Sequence, residues 1–238
     1  MQASLGILIL SVTPAEWSAI MISLKVSCIS TLVAFPVAVA TGWMLARNRF
    51  FGKSVIEGIL HLPLVMPPVT TGFLLLLIFG TQGYLGGWLY KNFDIRLAFN
   101  QTAAVMAAIV VSFPLMTRSM RTAIEMVDPR MEAASRTLGV SPFGTFMRIT
   151  FPLALPGIIS GTVLGFARAL GEFGATITFA GNIEGETRTI PMAVYSYMQT
   201  PGKESATLRL VFISALIALF AMILAEYLNK QVRKSQAP

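Results

Sequence analysis

Residues 132–152 read Glu-Ala-Ala-Ser-Arg-Thr-Leu-Gly-Val-Ser-Pro-Phe-Gly-Thr-Phe-Met-Arg-Ile-Thr-Phe-Pro, a charged stretch set between long apolar runs. With Glu125, Asp128 and Arg130 just upstream, its Glu132, Arg136 and Arg148 interrupt any membrane span, so the chain must leave the bilayer here. Asp128-Pro129 has the form of a helix start, with Asp as N-cap and Pro at the first helical position. Ala133 and Ala134 then give a bare patch, Gly139 suits a left-handed helix end, and Ser141-Pro142 begins the next turn. Two uses fit such a segment: a short helix that docks in a groove, or a solvated helical hairpin between spans.

Outward from this loop the composition sets the solvent. The 238 residues are 55% hydrophobic and only 12% charged, against roughly 25% charged in a soluble domain, and the mean hydropathy is +0.70, so much of the surface must face lipid. With about 20 apolar residues per crossing, the length accommodates one bundle and no separate soluble domain. Five spans are expected, near Trp17 to Ala46, Val55 to Phe79, Thr102 to Met120, Leu153 to Phe173 and Leu208 to Leu228, in an all-α membrane fold. The first is longer than a bilayer needs and carries Pro36, tolerable where a neighbouring helix re-satisfies the freed carbonyl. Residues 1–16 are expected as an external lead-in, uncharged through residue 14, 17–230 as the membrane unit and 231–238 as a basic cytoplasmic tail. No Lys or Arg precedes Lys25, so the basic start of a secretory signal is missing.

The basic residues orient the bundle. Arg47, Arg49 and Lys53 in the first loop, Arg118, Arg121, Arg130, Arg136 and Arg148 in and beside the third, and Lys230, Arg233 and Lys234 in the tail outnumber Lys91, Arg96, Arg188 and Lys203 on the other side. The positive-inside rule then puts the first loop, third loop and carboxyl tail in the cytoplasm and the amino terminus outside. The net charge of +7 is spread over juxtamembrane loops with no aromatic stacking platform, which argues against nucleic acid as a partner.

Catalytic and metal chemistry lack their parts. His61 is the single histidine and Cys28 the single cysteine, so no zinc site or disulfide can be assembled, and Cys28 in its apolar run reads as a small hydrophobe. Gly52-Lys53-Ser54 matches the end of a phosphate loop, but Arg47 stands where its first glycine should be and no strand precedes it. The chain is therefore expected to bind no cofactor and to catalyse no reaction.

The loop resembles the signature loop of bacterial ABC-importer permeases, Glu-Ala-Ala, a later Gly, then Ile-x-Leu-Pro, here Glu132-Ala133-Ala134, Gly139 and Ile149-Thr150-Phe151-Pro152. Gly139 comes seven residues after Glu132 where six is usual, and Phe151 replaces Leu. A second set of stretches is similar to the molybdate permeases of that family: Gly52-Lys53-Ser54, His61 to Val69 with Pro63, Pro67 and Pro68, Ser112-Phe113-Pro114-Leu115-Met116, and above all FARALGEFGATITFAGNIEGETRTIP at 166–191. Sulfate permeases share the Leu-Gly-Glu-Phe-Gly core, whereas Asn182 to Pro191 resembles the molybdate branch. The resemblance implies a type I importer permease acting as a homodimer, with cytoplasmic ATPase subunits holding ATP and Mg and gripping Glu132, Ala133, Ala134, Gly139 and Pro152. It also implies an extracytoplasmic molybdate-binding protein as the source of cargo.

Several positions carry two readings. Pro63, Pro67 and Pro68 remove backbone donors and bend the second span, either to line a gate or merely to pack. Ser112 beside Pro114 offers a hydroxyl to an anion or bonds back to its own helix, the preferred reading. Gly157, Gly161 and Gly165 make one helix face smooth, for a contact within the subunit or across a dimer. Arg168 and Glu172, one turn apart, lock the Gly171–Gly174 turn in preference to touching an anion. Lys25 snorkels outward or adds positive potential. In the outer segment 175–202, Thr176, Thr178, Asn182, Thr187 and Thr189 supply neutral donors, with Thr176 a path candidate, and the segment reads as a docking face for a delivery protein or a re-entrant cover.

The expected mechanism is alternating access: a loaded binding protein docks outside, ATP-driven closure draws the Glu132 loops together, and hydrolysis resets the inward state. Any affinity for a dianion should be weak, since a tight site would trap the cargo. A permease for sulfate, thiosulfate or tungstate is the nearest alternative. An ATP-independent secondary transporter would show inverted repeats, and the two halves show no such echo.

Overall fold

The computed structural model describes residues 12–236. The start of the expected lead-in and the last two residues of the expected tail lie outside the described residues. Among the described residues the chain forms helices and no strands.

Helix α1 runs Pro14–Arg47. Its start is a capping box: the Thr13 hydroxyl accepts the Glu16 N–H at 3.3 Å and the Glu16 carboxylate accepts the Thr13 N–H at 2.6 Å, while Pro14 occupies a position where a missing N–H costs nothing. Pro36 sits inside α1 without ending it.

Where one span was expected over Val55–Phe79, the structure has two helices, α2 (Lys53–Val65) and α3 (Pro68–Phe79), bent by 113°. Pro67 and Pro68 both lack an N–H, and Pro68 holds Pro67 in the extended region at φ −54°, ψ 130°, so neither helix can continue into the other. Each half is about 20 Å long at 1.5 Å per residue, short of a hydrocarbon core of about 30 Å. The bend expected from the prolines is thus a full break between two helices. Pro63 lies within α2 and does not interrupt it.

Then follow α4 (Tyr84–Phe93), α5 (Gln101–Glu125), α6 (Pro129–Thr137), α7 (Pro142–Thr145), a π turn (Phe146–Thr150), α8 (Phe151–Leu170), α9 (Gly174–Phe179), α10 (Ile190–Met198) and α11 (Glu204–Gln236). Among the described residues four stretches are long and apolar enough to cross a membrane, Pro14–Arg47, Gln101–Glu125, Pro142–Leu170 and Glu204–Val232, and the bent pair reaches that length only when its two helices are taken together. The short helices α4, α9 and α10 occupy connections between the expected spans.

Helix α5 is the central post, packed against α1 and α8. Its Ala103, Ala104, Ala107 and Ala108 are fully buried with Ile22 and Val26 of α1 and Phe179 of α9. Toward its other end Met116, Met120 and Ile124 pack on Ala34 and Ala38 of α1 and Ile158 of α8. Small residues recur at these contacts because apolar lipid offers helices no hydrophobic drive to associate, so close backbone approach must supply the attraction. A third cluster joins α1, α10 and α11 through Ala19, Ile20, Ile190, Ala193 and Leu210.

Candidate functional site

The expected loop helix is α6. The Asp128 carboxylate accepts the Arg130 N–H at 2.9 Å with Pro129 following, and Gly139, at φ +81°, closes the other end. The Gly139 N–H donates to Arg136 O at 3.0 Å and the Val140 N–H to Ser135 O at 3.3 Å, the paired bonds of a Schellman stop, in which the left-handed residue favours glycine. Ser141 then caps α7 by accepting the Gly144 N–H at 3.1 Å. Pro152 has no N–H to return to the preceding turn, and the chain enters α8 through the wider π turn, closed by Phe151 N–H on Phe146 O.

Glu132 is turned toward its own chain. One carboxylate oxygen accepts from Arg47 Nε at 3.0 Å and Nη2 at 2.9 Å and from Thr150 Oγ1 at 2.6 Å, while Arg47 also donates to Val127 O at 2.9 Å. A single acceptor thereby ties the end of α1, the loop helix and the entrance to α8. Large apolar side chains of α6 and its neighbours reach solvent, Met126, Met131, Leu138, Phe143 and Met147, together with Ala133 and Ala134, and they are interspersed with exposed Asp128, Arg130, Arg136 and Arg148. Met131, Ala134, Leu138, Ile149 and Pro152 line a concavity of about 520 Å³. The sequence reading had placed Glu132 in the docking face and missed Arg47 and Thr150 as its partners. A carboxylate in the first turn of a loop helix beside an arginine at a span's end was the available signal.

The proline break and the Leu-Gly-Glu-Phe-Gly turn meet each other. A Cβ on Gly174 would lie 2.7 Å from Pro68 Cβ, and one on Gly72 would lie 2.5 Å from Ala175 O, so only glycine permits this approach of α9 to α3. Glu172 is buried; it accepts the Ala175 N–H at 2.8 Å and pairs with Arg168 Nη1 at 2.7 Å, capping α9 and bracing the turn. Thr176 is buried in α9 and Pro67 is exposed beside the break.

The glycine row of α8 faces α5 within the subunit. A Cβ on Gly157 would overlap Ala123 Cβ, one on Gly161 would lie 2.9 Å from Ser119 Cβ, and one on Gly165 would overlap the Met116 side chain. Ser112 Oγ donates to Ala108 O at 2.6 Å, and Pro114 lies buried in an unbroken α5. Lys25 donates to Gln101 at 2.7 Å. In segment 175–202 neutral groups hold the segment itself: Thr187 Oγ1 accepts from Ile183 N–H and donates to Gly181 O, and Asn182 bonds Ser196 and Arg188. Sequence reasoning also missed Glu16, buried in α1 and paired with Arg209 of α11 at 2.8 Å. A charge on each of two apolar helices was the sign that they pair.

An all-helical bundle with a broken span and a capped loop helix that joins two crossing helices is the arrangement of a multi-span transport permease. The chain belongs to the family described as binding-protein-dependent transport system inner membrane component, whose model matches residues 38–234. It is 51% identical over 222 residues to the molybdenum transport system permease protein ModB of Escherichia coli K12, covering 93% of this chain and 97% of that one. It is 49% identical over 219 residues to the ModB of Haemophilus influenzae, covering 92% and 96%. The sulfate transport system permease protein CysW of Synechocystis is 32% identical, covering 90% and 79%. Among solved structures, a bacterial alginate ABC transporter in complex with its alginate-bound periplasmic protein superposes with TM-score 0.75 at 19% identity, covering 92% and 80%. The inward-facing MetNI methionine ABC transporter gives 0.72 at 13%, covering 93% and 99%.

Proposed function

We propose that this chain is the membrane permease of an ABC importer for molybdate, acting as a homodimer with a pair of cytoplasmic ATPase subunits and an extracytoplasmic binding protein. The observation that carries the coupling is the loop helix, capped at both ends and exposing Met131 and Leu138 among its charged residues. Exposed methionine, leucine and phenylalanine on a water-facing loop mark a protein contact, because an uncovered patch of that kind gains nothing from solvent. Ala133, Ala134, Gly139 and Pro152 belong to that contact, and ATP with its Mg belongs to the ATPase. Similarity to the molybdenum permeases over nearly the full chain supports the cargo. The excess of basic residues in the first loop, third loop and tail supports a cytoplasmic α6 and an amino terminus outside a bacterial cytoplasmic membrane.

In this reading ATPase closure displaces α6, and the Glu132 bond to Arg47 and Thr150 passes the displacement to α1 and α8 together. The Pro67–Pro68 break against the Gly174 turn is the gate region, with Thr176 in the adjoining α9 and Ser112 and Pro114 at the middle of α5 as further path candidates. Each ligand must favour one state over the other for the cycle to turn. The test is uptake by vesicles holding the permease, its neighbouring ATPase and the binding protein. Labelled molybdate should enter only with ATP, and excess unlabelled molybdate should compete better than sulfate. Uptake without ATP, or preferential competition by sulfate, overturns the mechanism or the cargo respectively.

A further inference from the structure

Among the described residues, four arginines of the long helices carry glutamates: Arg47 has Glu132, Arg121 has Glu57 and Glu125, Arg168 has Glu172 and Arg209 has Glu16. Arg118 differs from these four. It is exposed on α5, about two turns before that helix ends at Glu125, and its guanidinium has no partner among the described residues. A guanidinium at that depth is expensive in hydrocarbon unless it meets water or a counter-charge. It borders a groove of about 610 Å³ between α5 and α8, whose walls include Ser119, Thr122, Pro156 and Gly157. The Ser119 hydroxyl likewise has no hydrogen-bond partner among the described residues, whereas Thr122 Oγ1 is committed to Arg118 O at 3.0 Å.

We infer that Arg118, with Ser119 beside it, is an anion contact on the translocation path, taking the tetrahedral oxyanion as it leaves toward the cytoplasm. This rests on the permease reading above. The charge has no internal carboxylate to compete with the cargo, and the site is an open groove with one cation, which favours brief occupancy over trapping. Its two walls are also the two helices that the loop helix joins: α5 runs into α6, and α8 emerges from the π turn beyond it. Any displacement of α6 therefore alters the spacing of the groove walls and the reach of Arg118. A phosphate of the cytoplasmic leaflet offers the same chemistry as the cargo, and the test separates the two.

In the assembled transporter, with Cys28→Ser as background, Arg118→Cys is exposed to a membrane-impermeant thiol reagent from the cytoplasmic side. The expected result is rapid modification that slows when molybdate, tungstate or sulfate is added, whichever the transporter carries. Arg118→Gln should lower anion uptake about tenfold, the size of one charge-assisted contact, while ATP hydrolysis stimulated by the loaded binding protein persists; Arg118→Lys should recover part of the uptake. An unreactive Arg118→Cys, or wild-type uptake by Arg118→Gln, overturns the inference. So does a defect that appears in vesicles with anionic lipid and vanishes in phosphatidylcholine, which would assign Arg118 to a lipid phosphate. A wild-type transporter that imports sulfate but not molybdate sinks the cargo reading alone and leaves the labelling to judge Arg118.

Discussion

The Glu132 carboxylate and the Glu16 carboxylate do related work at opposite ends of α1, and each yields a test. Glu132→Gln keeps an oxygen for Thr150 but removes the charge that Arg47 faces, and Glu132→Arg sets two cations against each other. Charge-assisted bonds of this kind contribute about 1.5–3 kcal/mol each, so amides of residues 129–138 should exchange tenfold or more faster in Glu132→Arg than in the wild type, read by hydrogen exchange in detergent. Uptake should fall while the chain still inserts. Pairing Glu132→Arg with Arg47→Glu should restore part of the exchange protection; no recovery would mean that Glu132 acts on something other than Arg47. At the other end, Glu16 and Arg209 are 1% and 9% exposed. Removing one partner of such a buried pair leaves the other uncompensated, at a cost of about 3–5 kcal/mol, so Glu16→Ala should lower the unfolding midpoint far more than Glu184→Ala, whose carboxylate is 57% exposed. Which residues were charged, apolar or small was plain in the sequence. The partner of each charge was not, because Arg47 and Glu132 are 85 positions apart and Arg209 and Glu16 are 193 apart.

Helices announced themselves when apolar length or capping chemistry was uninterrupted. The α1, α5 and α11 crossings, and the Asp128-Pro129 start and Gly139 stop of α6, follow from periodicity and caps alone. The bend between α2 and α3 was legible in its prolines, but its 113° extent was not, because apolarity runs on through Leu62, Val65, Val69 and Phe73. Nor were α4, α9 and α10, which are too short for a bilayer ruler. The glycine row shows how a pattern leaves two partners open until packing chooses one. Gly157 faces the Cβ of Ala123, which cannot move without its helix, whereas Gly165 faces the flexible side chain of Met116. Overpacking costs about 1–3 kcal/mol where neighbours cannot yield, so Gly157→Ala should destabilise the chain more than Gly165→Ala in thermal unfolding. Ala123→Gly should rescue Gly157→Ala by vacating the overlapping position. Equal losses, or no rescue, would place the row against something other than α5.

Taken as one body, the chain has two kinds of exposed apolar surface with different solvents. Along α11, Leu216, Leu219, Phe220, Met222 and Ile223 occupy a stretch long enough to cross hydrocarbon, where lipid covers them at no cost. Below the bundle, Met131, Leu138 and Phe143 belong to a segment whose charges Arg130, Glu132, Arg136 and Arg148 keep it out of the bilayer, so water is the alternative to a partner. Burying a side chain of this size gains about 1.5–3 kcal/mol, and a few such anchors at a rigid helix account for most of the affinity of an ordinary interface. Leu138→Glu together with Phe143→Glu should therefore abolish co-purification of the ATPase and ATP-dependent uptake. Neither side chain bonds the α6 caps or Glu132, so helical content by circular dichroism and membrane insertion should stay at wild-type levels. Conversely, the permease expressed without its ATPase should be cleared from the membrane faster than in the complex, and the double variant should be cleared at that same faster rate whether or not the ATPase is present. A double variant that keeps its ATPase and its uptake would mean that the motor grips this bundle elsewhere, and that the capped helix is a hairpin facing water.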